Sequence, residues 1–219
     1  MMKKKIVVIG AGGMAREVRW LIREINTVAE EWEFAGYVVS DLKAVGEKDS
    51  KPEIVGNYEW LEKNGSKVDA VAIGIGKPAA RLKVAKELKS LMPGLEYPAL
   101  IHPSAILDRA SARIEEGVLV CAGVVATVNI ALKAFALLNF GCTLGHEAIV
   151  GRGSVVNPGA NISGGVVLGD GVLVGTGAQV LQYVEVGDGA TVGAGAVVTK
   201  NVQAGTTVVG MPAKPLMKG

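Results

Sequence analysis

Every sixth residue from Ile114 to Val198 is aliphatic, fifteen positions in succession, beginning Ile114, Val120, Ala126, Leu132, Leu138 and ending Val186, Val192, Val198. From Leu138 onward a small or branched residue stands four places after each of them, first Cys142, Ala148 and Ser154, and glycine often follows directly, as at Gly145, Gly151 and Gly169. A period of six fits neither the helical period of 3.6 nor the strand period of 2. It fits a coil of three short strands joined by corners, with the aliphatic residue pointing into a narrow prism and the small residue filling the corner. Eighteen residues close one coil, so fifteen such positions make five coils. Coils stack at the sheet spacing of roughly 4.8 Å, each burying its apolar row against the next. The pattern predicts a β-solenoid, and the triangular, left-handed parallel β-helix is the form associated with six-residue repeats.

The first hundred residues follow another pattern. Ile6–Ile9 is a continuous apolar strand, Gly10-Ala11-Gly12-Gly13 a tight turn, and Met14–Ile25 carries Val18, Leu21, Ile22 and Ile25 at helical spacing. Phe34–Val39 reads as a strand, Tyr58–Lys63 as a short helix and Val68–Ile75 as a strand. Pro78–Met92 reads as a helix that opens on proline and is stopped by Pro93-Gly94, and Leu95–Ile101 as a last strand. Alternating strands and helices imply a parallel sheet, here a small Rossmann-like α/β domain. The reading divides the chain into residues 1–101, the Rossmann-like unit, and 102–219, the solenoid, with Ser104–Ala112 leading into the coils.

Composition narrows the class. The chain of 219 residues is 49% apolar but only 5% aromatic, as a thin prism without room for rings requires, and it holds 30 glycines. Its mean hydropathy is positive, yet no run of 18 apolar residues exists, so no membrane-spanning segment is expected. Met1-Met2-Lys3-Lys4-Lys5 precedes an apolar run that stops at Gly10, too short for a signal peptide, so a cytoplasmic protein is expected. A net charge of +2 with interspersed signs excludes a nucleic-acid-binding surface. Cys121 and Cys142 give no disulfide framework, and Cys142 falls on a corner position of the repeat.

Two features carry candidate chemistry. The glycine turn Gly10, Gly12, Gly13 lets backbone approach a phosphate at a helix N-terminus, and Asp41 ends the second strand, where a ribose-binding acid belongs. A domain this small holds one mononucleotide half, which favours a nucleotide-sugar, with NAD(P) or no ligand as alternatives. Of the two histidines, His102 precedes Pro103 at the junction and reads as a linker residue. His146 stands two places after inward Leu144 and two before the corner Ala148, so the register turns it outward beside Glu147. Histidine is the side chain suited to take a proton from an amine or hydroxyl near neutral pH.

In order, Ile9-Gly10-Ala11-Gly12-Gly13, Ile101-His102-Pro103-Ser104-Ala105, His146-Glu147, Asn157-Pro158-Gly159-Ala160 and Gly210-Met211-Pro212-Ala213-Lys214 resemble the sugar O/N-acyltransferases of the sialic acid O-acetyltransferase type. These include the bacillosamine-pathway N-acetyltransferases acting on UDP-4-amino-sugars. The resemblance runs over nearly the whole chain. It implies a homotrimer of left-handed β-helices that uses acetyl-CoA and no metal, with active sites between subunits. It places the base on His146, its acidic partner on Glu147, a sugar-side asparagine on Asn139 and an N–H facing the thioester carbonyl on Gly164. The uridine elements fall on Gly12, Gly13 and Asp41, and a CoA contact is expected at Lys214. Two departures stand out: Met14 and Val155 occupy places where relatives commonly carry histidine, and loss of the second removes a possible hold on acetyl-CoA. The unbroken register leaves no loop to wall the acceptor pocket, so the N-terminal unit is expected to supply it. A γ-type carbonic anhydrase would need three converging histidines, and a sugar nucleotidyltransferase a much larger N-terminal domain. An O-acetyltransferase of a sialic-acid-like or other surface sugar, or a catalytically silent nucleotide-sugar scaffold, would use the same residues.

Overall fold

The structure, a computed structural model, describes residues 3–216; Met1-Met2 of the basic start and residues 217–219 of the second unit lie outside the described residues. The N-terminal half opens with β1 (Lys4–Ile9), the turn, and α1 (Gly13–Ile25), followed by β2 (Trp32–Val39), β3 (Ile54–Asn57), α2 (Tyr58–Asn64), β4 (Ala70–Ile73) and α3 (Pro78–Leu91). The strands pair in parallel in the order β3-β2-β1-β4. β1 is central, which is why Ile6–Ile9 is apolar without alternation: both its faces are covered. α1 buries Ala15, Val18, Leu21, Ile22 and Ile25. It stops at Asn26, whose side chain donates to the carbonyl of Trp32 and accepts from its N–H, fixing the entry to β2.

Two strand expectations need correction. β3 was not expected, because Ile54-Val55-Gly56-Asn57 is short and contains poor strand formers; Gly56 is required there since any Cβ would run into Trp60. Leu95–Ile101 is not one continuous strand: Glu96 makes a single parallel bridge to Ala70 at the β4 edge of this sheet, and only Leu100–Ile101 (β5) forms a named strand, which pairs with Leu119–Val120 as the first rung of the solenoid. Ile106–Leu107 (β6) is already the second rung, on Val125–Ala126, so the segment expected to lead into the coils belongs to them. Seven residues instead of six separate Leu107 from Ile114, and this one insertion hid the first two rungs from the period.

From Arg113–Ile114 to Val197–Val198, fifteen two-residue strands follow at strict spacing, each paired in parallel with the strand 18 residues away. They form the three faces of a prism. The first face holds β5, Leu119–Val120, Leu137–Leu138 and their successors. The second holds β6, Val125–Ala126 and Thr143–Leu144. The third holds Arg113–Ile114, Ala131–Leu132 and Ile149–Val150. Inward residues of all three faces, with the corner residues Cys142, Ala148, Ser154 and Ala160, make one continuous core.

The N-terminal half packs on the outer side of the first face, with α1 against β5. Leu119, Cys121, Leu137 and Val155 join Ile6, Val8, Ala15 and Val18 in a second cluster. The halves therefore share a core. A solenoid cut free at residue 100 would lose its first rung and expose that apolar face to water.

Candidate active site

A second six-residue column shapes the corners. Fourteen positions from Gly117 to Gly195 have positive φ, and ten of them are glycine. The exceptions are Asn129 (58°), Phe135 (62°), Glu147 (62°) and Tyr183 (59°). A side chain in this left-handed conformation costs about 1 kcal/mol, so each exception asks for a reason. Phe135 has one in packing: it is buried against Tyr97, with ring centroids 5.4 Å apart, at the corner between the third and first faces. Glu147 and Tyr183 are exposed on the corner between the second and third faces, where packing does not repay the strain.

That corner carries His146. Its side chain is 53% exposed, as the register requires, and Nδ1 lies 3.5 Å from Oε2 of Glu147. The imidazole rests on Gly164, one coil on; a Cβ there would sit 2.4 Å from Nε2, so only glycine admits the ring. The N–H of Gly164 has no backbone acceptor among the described residues. Tyr183 covers Gly165 and donates its own N–H to the Gly164 carbonyl at 3.0 Å. Val128, Leu181 and Tyr183, all exposed, line the same corner with apolar surface. A proton acceptor, an open N–H donor and an apolar rim thus meet on one edge. Tyr183 was missed by the sequence reading, although its break in the glycine column is visible once that column is followed.

Glu147→Gly tests the strain directly. It is expected to raise the unfolding free energy by about 1 kcal/mol, read as a higher Tm, while lowering kcat; a glycine variant as active as the parent would leave the strain without a catalytic reason.

The nucleotide elements gather at the carboxyl ends of β1 and β2. A cavity of about 190 Å³ is lined by Ile9, Gly10, Ser40, Asp41, Tyr58 and Ile75. Gly10 has φ 98°, and a Cβ there would press on the Gly74 carbonyl. Ala15 packs tightly on Gly74, which brings α1 close to the sheet. Burial, with Glu87 nearby, pushes the Tyr58 phenol up to about 12, so it remains a donor at neutral pH. Asp41 accepts from the N–H of Lys43 and ends β2 at the cavity wall. Gly12 and Gly13 do not line this cavity. They begin α1 beside it, where no side chain caps the free N–H groups.

These elements and His146 do not meet within one chain. The N-terminal half covers the first face, and His146 with Gly164 occupies the corner opposite it. Asn139 lies between, at the corner of the first and second faces, almost buried, its Oδ1 accepting from the Phe140 N–H. Lys214 is exposed on a short strand over the last coil. The column from His146 through Gly164 reaches that end in three coils, roughly 14 Å at the sheet spacing.

Four further positions complete the picture. His102 is not a linker residue: it is 8% exposed, pairs in register above Cys121, accepts from the Ser104 N–H through Nδ1 and lies 5.4 Å from the Trp20 ring. Val155 is 1% exposed in the cluster beneath the N-terminal sheet, so its place is one of packing rather than of CoA contact. Burial pushes the thiols of Cys121 and Cys142 up to about 12, which leaves both inert as nucleophiles. Among the described residues no three His, Cys, Asp or Glu converge as metal ligands, and no helix is long and apolar enough to cross a membrane.

Residues 5–88 match the PglD N-terminal domain, and residues 165–200 match the bacterial transferase hexapeptide repeat. No protein of curated function matches the sequence. Among solved structures, the acetyltransferase domain of PglB from Neisseria gonorrhoeae FA1090 is 31% identical over 98% of this chain and 100% of its own, with a TM-score of 0.83, and was also solved with acetyl coenzyme A. WeeI from Acinetobacter baumannii AYE is 30% identical over 98% and 100%, with a TM-score of 0.83. PerB from Caulobacter crescentus, solved with CoA and GDP-perosamine, is 28% identical over 97% of each chain, with a TM-score of 0.86.

Proposed function

Since the chain belongs to the acetyl-CoA-dependent sugar acetyltransferases that join a PglD N-terminal domain to a hexapeptide-repeat solenoid, we propose that it acetylates the amino group of a UDP-4-amino-sugar in the cytoplasm, with His146 as general base. The observation that carries this reading is the juxtaposition of His146, the strained Glu147 and the Gly164 N–H on one exposed edge.

A thioester is activated enough for direct attack. The neutral amine adds to the thioester carbonyl while His146 takes its proton, with Glu147 beside Nδ1 orienting the ring. The oxygen of the tetrahedral intermediate faces the Gly164 N–H, a kind of donor worth on the order of 3 kcal/mol. The C–S bond then breaks, and the imidazolium returns its proton to the departing CoA thiolate. Donor recognition falls to the solenoid, 102–219, with Lys214 and the apolar rim along the route to the base. Acceptor recognition falls to residues 1–101, through Gly10, Gly12, Gly13 and Asp41. Because one chain keeps the two apart, the working unit is a homotrimer in which the N-terminal cavity and Asn139 of one subunit face His146 of the next.

Incubation with acetyl-CoA and a panel of UDP-, GDP- and dTDP-linked amino-sugars, read by mass spectrometry, tests the reading. The expected result is one added acetyl group on a UDP-4-amino-sugar; turnover of another nucleotide alone would reassign the acceptor, and no turnover would reject the activity. Gly12→Val separates the two halves. Its Cβ meets only Asp49 Oδ1, at an ordinary 3.5 Å, so the fold tolerates it while the close approach to a phosphate is lost. The KM for the nucleotide-sugar should rise about tenfold or more, with the KM for acetyl-CoA unchanged.

A further inference from the structure

Outside the cavity described above, α1 carries a basic groove of about 300 Å³ on its outer side, lined by Arg16, Arg19, Trp20, Arg23, Tyr37, Ser50 and Glu53. The spacing 16, 19, 23 puts three guanidinium groups on one helix face. Arg16 donates to the Lys48 carbonyl and its guanidinium reaches back to Gly13, the first residue of α1. Arg19 pairs with Glu53 and lies over the Phe34 ring. Arg23 has one ion-pair partner among the described residues, Glu24, at 3.6 Å. Glu53 is the single carboxylate lining the groove, so three cations face one anion.

At the groove floor the Tyr37 ring is wholly buried, the Arg19 guanidinium and Ser50 hydroxyl lie beside its oxygen, and no acceptor for its O–H is found among the described residues. A buried O–H without an acceptor costs about 1–3 kcal/mol. An exposed arginine row alone would be a solvated helix face. A row over a buried O–H leaves donors in excess: Arg16 and Arg19 each have an acceptor for one N–H group, and the hydroxyl has none among the described residues. Trp20 forms one wall and is held in place by His102 and Phe140, with ring centroids at 5.4 and 5.9 Å.

We propose that this groove binds a phosphate or diphosphate group, held by Arg16, Arg19 and Arg23 with the Tyr37 hydroxyl. Planar guanidinium forks match phosphate oxygens in pairs. Three forks and a hydroxyl offer more donors than the two oxygens of a carboxylate can accept, whereas a diphosphate satisfies them. The group can belong to the sugar nucleotide itself, leaving the nucleoside cavity past the start of α1, or to a second phosphorylated ligand.

Calorimetric titration of the full-length protein with inorganic pyrophosphate tests this by binding alone, so the result does not depend on whether acetyl transfer is the reaction. Saturable binding that weakens with added salt is expected. Arg19→Gln and Arg23→Gln should each weaken it about tenfold, and Tyr37→Phe, which keeps the buried ring, several-fold. Displacement of pyrophosphate by UDP assigns the groove to the diphosphate of the acceptor; undiminished binding in saturating UDP assigns it to a second ligand. No binding at millimolar pyrophosphate, or an affinity untouched by both arginine substitutions, would overturn the proposal.

Discussion

His146→Ala is expected to lower kcat by roughly 10²–10⁴-fold while leaving acetyl-CoA affinity and Tm nearly unchanged, because the imidazole is half exposed and bonded to nothing in the core. Steady-state kinetics and a thermal melt check both parts, and an alanine variant with parental kcat would remove His146 from the chemistry. The same variant reports on assembly. Co-expressed with Gly12→Val at low nucleotide-sugar concentration, it should give mixed trimers in which about a quarter of the sites combine an intact base from one subunit with an intact acceptor cavity from its neighbour. Activity would then reappear from two crippled chains. A site contained in one chain could not be rescued this way, and mixtures that stay inactive would disprove the shared site.

The largest effect on stability is expected at Arg81 of α3. It is fully buried, has no carboxylate partner among the described residues, and gives its N–H groups to four carbonyls: Nε to Phe135 at 2.6 Å, Nη1 to Ile73 at 2.5 Å and Ile75 at 3.3 Å, and Nη2 to Gly117 at 3.3 Å. Phe135 and Gly117 are left-handed corner residues of successive coils, and their turn is what aims their carbonyls outward at α3. Burial pulls the guanidinium down to about 10, so it stays charged at neutral pH and the clamp holds throughout the working range. Arg81→Met keeps the bulk but orphans those oxygens, and the loss should be about 3–5 kcal/mol. Denaturant unfolding would show it as a lower midpoint, and an unchanged midpoint would deny the clamp. Arg81→Lys can reach only some of the carbonyls and should recover part of the difference.

How much of this the sequence disclosed depends on whether a feature leaves a periodic trace. The inward residues from Ile114 to Val198 repeat because each must meet its equivalent 18 residues away, and that repetition was readable without any other knowledge. The outward place of His146 followed from the same register. Arg81 left no trace. It sits among the lysines of α3, and its partners are backbone carbonyls, which any residue supplies. His102 was misread because the seven-residue step after Leu107 broke the period just where it would have put His102 above Cys121. The separation of the nucleotide cavity from His146 was also out of reach, since the sequence does not say which face of the prism the N-terminal sheet covers. Val155 shows the same gap: a lost ligand contact in the linear reading, a packing residue once that face is known.

Because eighteen residues carry the chain once around the prism, sequence position in the second half is also a bearing. Six residues inserted between Leu138 and Thr143 would leave every inward aliphatic inward, yet would turn Val155 away from the N-terminal half and swing His146 by about a third of a turn, from the far edge to the one under α3. Eighteen inserted at the same place would keep its bearing and lift it by roughly 4.8 Å, one storey away from Asn139. A length change that keeps the site is therefore expected ahead of the first rung or, after Tyr183, in whole storeys of eighteen residues.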